Sequence, residues 1–385
     1  MSNRLYKSLQ NFADQPGSLL QVTLIGWIAT KCLTIRLWGG DRAFPIVPVW
    51  EGLRTVPNSF HLMLLVMALM NMSKLAYRPG RKGLIVFVLI VEILSCLLDQ
   101  NRLQPWEYQF IFLLFIYLSV KPEFVRTLYL MLLAGLYTYS GLHKLNPDFI
   151  QVVWKDMICH RYLQLDPSTS GRWMVQMAGY SIPVIELGAG LCLLAGERIR
   201  QQSLSVLIVM HLIILIILGP IGIRHNVSVW PWNGVMMASL LILKFGTEKP
   251  SVSALKLSIP VYIVWAFWIL LPAFSFIGLW DQYLSGNLYS GKLPRQSICI
   301  GDSSQARPMR QFFGTKPAEI GCAGKAAISV QQWALREIGV PPYPEKRVSR
   351  AIDKWWKKQF PASDGQLIYY RKTKEEGRKE IIFTP

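Results

Sequence analysis

The sequence predicts an all-α polytopic membrane bundle of about nine transmembrane helices, followed by a small C-terminal α+β extramembrane domain. Of its 385 residues, 52% are hydrophobic and only 17% are charged, and the mean hydropathy is positive. Apolar runs long enough to cross a hydrocarbon layer of about 30 Å recur up to Trp280, and in lipid only a helix satisfies its own backbone over such a length. Beyond Trp280 the chain is polar and has no such run.

The apolar runs predict these spans, in chain order: 19–38, 60–77, 83–98, 106–120, 125–142, 173–196, 203–222, 229–246 and 257–280. The run at 106–120 is short, and if it is re-entrant the number of spans becomes eight and the end of the chain changes side. The opening MSNRLYKSLQNFADQPG has no apolar core and no small-residue cleavage site. It therefore predicts no cleavable signal peptide, and the first helix is expected to direct insertion.

Lysine and arginine residues in the short loops favour a cytoplasmic N-terminus, because cytoplasmic loops carry an excess of both. That orientation places twelve of them inside, at positions 4, 7, 78, 81, 82, 121, 126, 198, 200, 244, 249 and 256. Eight lie opposite, at positions 42, 54, 102, 144, 155, 161, 172 and 224. Nine spans then put Lys144 and the region after Trp280 on the outer face of a membrane, for which a bacterial inner (plasma) membrane is expected.

Residues 1–280 are thus predicted as the transmembrane domain and residues 281–385 as the extramembrane domain. Within the latter, DQYLSGNLYSGKLPRQSICIGD predicts short strands, LIYYRKTKEEGRKEIIF predicts a terminal hairpin, and 326–358 is predicted as helical. This region has 18 Lys and Arg against 10 Asp and Glu, a balance that suits anionic lipid headgroups. The absence of a nucleic-acid-binding motif and the outward orientation argue against nucleic acid as a partner.

The cysteines and histidines predict no metal or haem site. Cys32, Cys96 and Cys192 lie within spans and are interpreted as packing residues. Cys299 and Cys322 lie in the outer domain, where an oxidising compartment permits a disulfide that the spacing does not establish. The sequence has no Cys-x-x-Cys, no His/Cys set spaced for zinc and no iron–sulfur or nucleotide motif. A bound redox cofactor is therefore expected to be lipid-soluble or absent.

The stretch YTYSGLHKLNPDF carries the main candidate site. Tyr137, Ser140, Gly141 and Lys144 recur at helical spacing and lie on one face of a helix, and Pro147 ends that helix soon after Lys144. A lysine in a last helical turn can reach the headgroups and complement the helix terminus. The same lysine can act as a base where burial makes the uncharged amine stable. Both interpretations are open at the level of sequence.

Four ionisable residues, Lys31, Glu92, Glu186 and His211, fall close to the middle of their predicted spans. Charged groups at that depth are expected to face the bundle interior and pair with one another, as a structural cluster or as proton relays. By helix rise, Lys144 lies roughly 20 Å nearer the surface than Glu186. The two side chains are therefore predicted not to touch.

The loop LGPIGIRHNVSVWPWN, between spans seven and eight, brings Arg224, His225 and Asn233 to the same outer surface as Lys144. Its Trp230 and Trp232 suit an interfacial aromatic belt. A turn that carries an interfacial aromatic belt would explain this loop without any functional site. As hydrogen-bond donors beside Lys144, its polar residues are also candidates for cofactor binding.

YTYSGLHKLNPDFI resembles a segment of the vitamin K-dependent γ-carboxylases and their bacterial relatives, the horizontally transferred transmembrane domain (HTTM) family. IPVIELGAGLCLLAGERIRQQ is similar to the helix that follows in that family, and the wider DoxX-like membrane redox group is similar in its four-helix core. The resemblance extends loosely over residues 15–300, with specific motifs between 137 and 233.

The resemblance implies that Lys144 is the base that deprotonates a reduced quinone, with His143 in place of a neighbouring lysine. For a quinol site beside Lys144, the residues predicted to bind the cofactor are Tyr137, Tyr139, Ser140, Glu186, His211, Arg224, His225 and Asn233. In the carboxylases, the reduced quinone then reacts with O₂ to give a strong base that removes a glutamate γ-proton. About 105 residues stand here in place of their extensive lumenal part, so carboxylation of a protein glutamate is not expected.

Two main classes of function follow, with transport or lipid handling as a further alternative. The first is a quinol-linked membrane oxidoreductase working at the outer face. The second is a non-catalytic assembly factor or structural subunit, whose outer domain binds a membrane or extracytoplasmic protein partner. Both predict contact with membrane lipid.

Overall fold

The computed structural model describes residues 3–15, 17–165, 172–252, 255, 257–300, 303–312, 322, 326–363, 365–372 and 379–383. Most of these residues are helical, and the strands belong to one small sheet near the C-terminus. The α-helices of the described ranges are α1 Asn3–Ala13, α2 Ser18–Leu33, α3 Ile35–Trp38, α4 Asn58–Tyr77, α5 Lys82–Leu98, α6 Pro105–Ser119, α7 Pro122–Lys144, α8 Arg172–Cys192, α9 Glu197–Leu218, α10 Val229–Phe245, α11 Ile259–Trp265, α12 Val330–Glu337 and α13 Lys346–Gln359. A π-helix, Phe149–Tyr162, lies between α7 and α8, and π and 3-10 turns extend α11 to Ile277.

Connections between the helices alternate between two ends of the bundle. At the near end, the Arg126 guanidinium donates to the Ala13 carbonyl and lies 3.7 Å from Asp14 and 3.9 Å from Glu248. The Thr247 N–H donates to the Asp14 carboxylate at 2.8 Å. These contacts join the loops after α1 and α10 to the first turn of α7.

The far end of the bundle is covered by the C-terminal region. The Tyr343 N–H donates to Asn101 Oδ1 at 3.1 Å, and the Asn146 amide donates to the Ser290 carbonyl at 3.0 Å. The loops after α5 and α7 therefore both meet residues beyond Trp280. Segments predicted to be outside thus lie together at one end, and segments predicted to be inside lie together at the other.

Three helices in the described ranges are long and apolar enough to cross a membrane: α4, α9 and the extended helix Ile259–Ile277. The helices α2 and α10 are apolar but shorter. This is fewer than the nine predicted spans. Other predicted spans form shorter helices, such as the 15-residue α6. In α7 and α8, which have 23 and 21 residues, the polar side chains of the candidate site reduce the apolarity.

The sheet follows the bundle and consists of four antiparallel strands in the order β2-β1-β3-β4. They are β1 Arg295–Ile300, β2 Ala326–Ser329, β3 Gln366–Lys372 and β4 Lys379–Phe383. The pair β3–β4 is the predicted terminal hairpin. The core of the sheet is formed by one side chain from each of three strands. Ile298 pairs with both Ile328 and Leu367, and all three side chains are fully buried.

Two predictions for this region were wrong in detail. The segment after Trp280 was expected to contain several short strands, but it forms a 3-10 turn and loops until β1 begins at Arg295. The region 326–358 was expected to be helical, but it opens with β2 before α12. Pairing with β1 explains that strand, because the alanines and the serine of Ala-Ala-Ile-Ser have little strand preference of their own.

Asp281 joins the last helix of the bundle to the C-terminal domain. Its carboxylate accepts from the Tyr343 hydroxyl at 2.7 Å and forms two hydrogen bonds with the Arg347 guanidinium. These bonds to Asp281 raise the pKa of Arg347, and burial raises the pKa of Tyr343. Both side chains thus keep their protons and hold the domain against the far end.

Cys299 and Cys322 form a disulfide across a separation of 23 residues. Replacing both by alanine is expected to lower the free energy of unfolding by about 3 kcal/mol, because the bridge restricts the unfolded chain. Denaturant titration of the full chain measures this, and Cys32→Ala, which removes an exposed free thiol, is the control. Titration of the unreduced, denatured wild type should find four free thiols, and six would contradict the bridge.

Candidate functional site

Close packing of α7 against α8 brings the candidate site together. A Cβ atom added at Gly141 would lie 2.6 Å from the Leu187 backbone nitrogen, and one added at Gly190 would lie 2.7 Å from that of Thr138. Real Cβ atoms do not come so close to backbone, so both glycines are required for this approach. The last turns of α7 therefore lie directly against the middle of α8.

Gly190→Ala is expected to separate α7 from α8 and to lower the free energy of unfolding by about 2 kcal/mol, because backbone cannot move aside as a flexible side chain can. Gly188→Ala is the matched control on the same helix, since a Cβ there meets nothing within 4 Å. The control is expected to be neutral or slightly stabilising, because alanine favours helix over glycine. Thermal unfolding in detergent compares the two, and equal loss in both would contradict this account of the packing.

Lys144 forms a buried ion pair with Glu186. Its Nζ lies 2.7 and 2.9 Å from the two carboxylate oxygens and 2.7 Å from Ser140 Oγ. The exposed fractions of the two side chains are 14% and 6%. An ammonium group has three donors, and three acceptors surround this one. The geometry is that of a charged lysine held by a carboxylate.

The prediction that these two residues do not touch was wrong. Glu186 lies 14 residues after the start of α8 at Arg172, a rise of roughly 20 Å. The first half of α8 extends beyond the end of α7 and packs on the π-helix, where the Trp154 indole donates to the Val175 carbonyl at 2.6 Å. The predicted separation assumed that α8 begins at the level where α7 ends. Because α8 begins roughly 20 Å beyond the end of α7, Glu186 lies level with Lys144 instead.

A second hydrogen-bonded chain runs through His211. Its Nδ1 lies 2.6 Å from Asn233 Oδ1, and its Nε2 lies 2.7 Å from the Tyr137 hydroxyl. The Asn233 amide nitrogen donates to the Val229 carbonyl at 2.7 Å, so Oδ1 is the acceptor facing the ring. Nδ1 therefore carries the proton, and Nε2 accepts from Tyr137.

The Lys144–Glu186 pair and the hydrogen-bonded residues around His211 line one cavity of about 70 Å³. Six of the predicted site residues meet there: Tyr137, Ser140, Lys144, Glu186, His211 and Asn233. This volume has room for a few water molecules and is well below the roughly 300–1,000 Å³ of most sites for organic ligands. The arrangement can hold and pass protons between a carboxylate, a neutral imidazole and a phenol.

Two predicted residues on α7 lie outside this cavity. His143 is buried on another face of the helix, where its ring stacks on Phe276 at 4.4 Å and its Nε2 lies 3.1 Å from Ser275 Oγ. The Tyr139 hydroxyl donates to the Ile269 carbonyl. Both side chains face the extended α11, because one residue along a helix rotates the side chain by about 100°.

The two predicted loop residues also lie elsewhere. Arg224 is exposed, and its Nε donates to the Pro220 carbonyl within the same turn at 2.9 Å. His225 contacts the Tyr289 ring, with ring centres 5.8 Å apart, and lines a different and larger cavity. Neither touches Lys144 or its partners.

Sequence reasoning missed two aromatic residues that line the site. Trp232, predicted for the interfacial belt, lines the cavity and donates to Gln109 Oε1 at 2.8 Å. Tyr289 closes another side from beyond the last span. Gln109 is a polar residue within the predicted span 106–120 and was a usable signal that a partner such as Trp232 would face it. Tyr289, in contrast, is brought in by a contact between distant segments.

The deep ionisable residues form two clusters rather than one. Lys31 lies 2.8 Å from Glu92 and 3.9 Å from Glu107, and its ammonium sits 3.0 Å above the Trp38 ring. Glu107 accepts from the Trp27 indole at 2.7 Å. Glu107 was missed, although its place near the start of the predicted span 106–120 was a signal that it would be buried.

Comparisons of the chain with protein-family models, with curated proteins and with solved structures find no match. Among the residues that the structure describes, no group of three or more His, Cys, Asp or Glu is arranged to hold a metal ion. The site is therefore interpreted from its own geometry.

Proposed function

We propose that the chain is an integral membrane protein that transfers protons at the Lys144–Glu186 pair as part of a quinol-linked oxidation. The observation that carries this proposal is the meeting of the Lys144–Glu186 pair and the Tyr137–His211–Asn233 chain in one small cavity. Buried ion pairs and hydrogen-bonded histidines are typical of proton relays in membrane proteins. The ion pair alone, or the hydrogen bonds of His211 alone, would be explained as contacts that hold the helices together.

The proposal includes nine crossings, a cytoplasmic N-terminus and an outer C-terminal domain. The alternation of connections between the near and far ends supports the crossings, because every predicted span then runs the length of the bundle. The Cys299–Cys322 disulfide supports an outer location for the domain, since disulfides persist in oxidising compartments. The 12-to-8 distribution of basic residues supports the same orientation.

In the proposed reaction, Glu186 is the proton acceptor rather than Lys144. The ammonium of Lys144 already has three acceptors around it, whereas a carboxylate oxygen has lone pairs to spare. When Glu186 takes up a proton, the charge of Lys144 becomes available to an anion in the cavity. His211 Nε2 is a second acceptor. The bond from His211 Nδ1 to Asn233 keeps the proton on Nδ1, so Nε2 stays free to accept.

A quinone is the cofactor that the resemblance implies, and in its reduced quinol form it would supply an acidic hydroxyl and two electrons. The acid–base groups suit such a molecule, but the cavity of about 70 Å³ does not hold its ring. The proposal therefore assigns proton transfer to these side chains and assigns no quinone position. It takes from the resemblance the chemical class of the proton donor and O₂ as the oxidant that accepts the two electrons of the quinol.

The alternative proposal is a non-catalytic assembly factor or structural subunit that binds a partner through the outer domain. The hydrogen bonds of Arg347 to Gln100 and of Tyr343 to Asn101 favour it in one respect. They hold the domain against the far end of the bundle, as a docking platform would require. On this alternative, the Lys144–Glu186 pair is structural only.

Mass spectrometry of an organic extract from gently solubilised protein tests the two proposals. A quinone at about one molecule per chain in the wild type is expected for the oxidoreductase, together with slower quinol oxidation in Tyr137→Phe. Phospholipid without quinone would contradict that proposal and support the alternative. Tyr137→Phe is chosen because it removes the hydroxyl that contacts His211 while it preserves the ring.

A further inference from the structure

A second and larger cavity, of about 520 Å³, lies where the far end of the bundle meets the C-terminal domain. Its walls come from the π-helix Phe149–Tyr162, from His225 and Asn226, from the segment around Tyr289 and from the C-terminal domain. This volume falls within the range of about 300–1,000 Å³ that is usual for small-molecule sites. Of the predicted site residues, His225 lines this cavity.

Gln296 is the most informative residue of this wall. It is fully buried, yet neither Nε2 nor Oε1 has a hydrogen-bond partner within the part of the chain that the structure describes. Its backbone N–H, in contrast, donates to Gln331 Oε1 at 3.1 Å. A buried amide without partners destabilises the fold, because it has lost its hydrogen bonds to water. Such groups mark sites where a ligand completes the hydrogen bonds.

The cavity also carries excess positive charge. Arg161 and Arg295 line it, and within the described ranges neither lies within 4.0 Å of a carboxylate. Asp156 is the acidic residue of the lining. Burial, and secondly Arg161, lower the pKa of His225, so this imidazole is neutral at neutral pH. The lining then has a net charge of one positive unit.

From the unpartnered carboxamide and the two unpaired guanidinium groups, we infer that the large cavity binds an organic phosphate or carboxylate. Arg161 and Arg295 pair with the anionic group, and Gln296 donates to and accepts from an adjacent polar group of the same ligand. A lipid headgroup and a small water-soluble anion share this chemistry. The binding proposal does not depend on the proton-transfer proposal.

The wall between the two cavities has an unusual backbone. Leu288 and Tyr289 line both cavities, and Tyr289 has φ 55°, a left-handed conformation that a bulky side chain rarely adopts. Strain of this kind persists where the surrounding structure imposes it, often beside ligands. A ligand in the large cavity would therefore lie across this segment from the Lys144–Glu186 cavity. Any role of that proximity in catalysis rests on the proposed function.

Calorimetric titration of the full chain in detergent, at constant ionic strength, tests the binding proposal. The probes are dihexanoyl phosphatidic acid, inorganic phosphate and succinate, with dihexanoylglycerol as the uncharged comparison. The variants are Gln296→Leu and Arg295→Gln. Arg310→Gln is the matched control, because it removes the same charge from an exposed position of the C-terminal domain outside the cavity lining.

We expect at least one anionic probe to bind, with affinity at least tenfold lower in both cavity variants and unchanged in Arg310→Gln. Gln296→Leu is the decisive variant, because it alters no charge and replaces an unsatisfied amide with an apolar group. It is expected to fold with a melting temperature equal to or above that of the wild type. Binding of phosphatidic acid alone would indicate a lipid source, and binding of phosphate or succinate would indicate a soluble one.

Equal affinity in all variants would show attraction to net charge only and would overturn the proposal, as would the absence of binding by every anionic probe. Lys144→Met separates the two proposals. It should keep the anion affinity of the wild type even where the proton-transfer proposal fails.

Discussion

Replacing Lys31 by methionine is expected to lower the free energy of unfolding by about 3–5 kcal/mol, the largest effect on stability that we predict. Lys31 is 1% exposed, and its two partners, Glu92 and Glu107, are fully buried. The substitution keeps much of the side-chain volume but leaves two carboxylates in the interior without a cation. It also removes the cation from the face of Trp38.

Unfolding in detergent, followed by circular dichroism, measures this loss. Lys74→Met, an exposed position on α4, is the control and should change stability by less than about 0.5 kcal/mol. Adding Glu92→Gln to Lys31→Met is expected to recover part of the loss, because it removes one of the uncompensated charges. If Lys31→Met were as stable as Lys74→Met, the buried cluster would not contribute as described.

Replacing Lys144 by methionine is expected to abolish proton transfer, with a fall of at least ~100-fold in quinol-dependent oxygen uptake. Without the ammonium, Glu186 has no counter-ion, and no positive charge remains in the cavity to stabilise the anion that forms when a proton is transferred. Stability should fall by about 2 kcal/mol, less than at Lys31, because the Lys144 side chain is 14% exposed.

The double variant Lys144→Met with Glu186→Gln separates chemistry from stability. It should regain most of the lost stability, because no unpaired charge remains, while activity stays absent. Lys121→Met, at the opposite end of α7 and exposed, is the control for both measurements. Recovery of activity in the double variant would contradict the role of the pair, and a wild type without quinol oxidation would leave the pair structural.

Helix positions were largely predictable from the sequence. The runs at 60–77 and 203–222 correspond to α4 and α9, since long apolar segments with polar ends have few alternatives to helix. The terminal hairpin was predictable from two strand-like segments around a charged turn. The strand β2 was not, because its four residues are held by pairing with β1 rather than by their own preference.

The candidate site was predictable in composition but not in arrangement. Tyr137, Ser140 and Lys144 belong to one helix, so their common face follows from helical spacing, and the structure places all three at one cavity. Lys144 and Glu186 come from different helices, and their contact depends on how far α8 extends beyond α7. Helix rise alone could not predict that stagger.

The sequence by itself determined that the protein is mostly helical, that apolar helices dominate its first 280 residues, and that lysine, glutamate and histidine are buried among them. These properties follow from local composition and periodicity, which act within one segment. Only the tertiary structure decided which buried charges pair, that Trp232 and Tyr289 enclose the site, and that a larger cavity with an unpartnered Gln296 lies beside it. Those outcomes depend on how segments far apart in the chain are staggered and how closely they pack. The interaction energies arise between segments, so they cannot be predicted from any one segment alone.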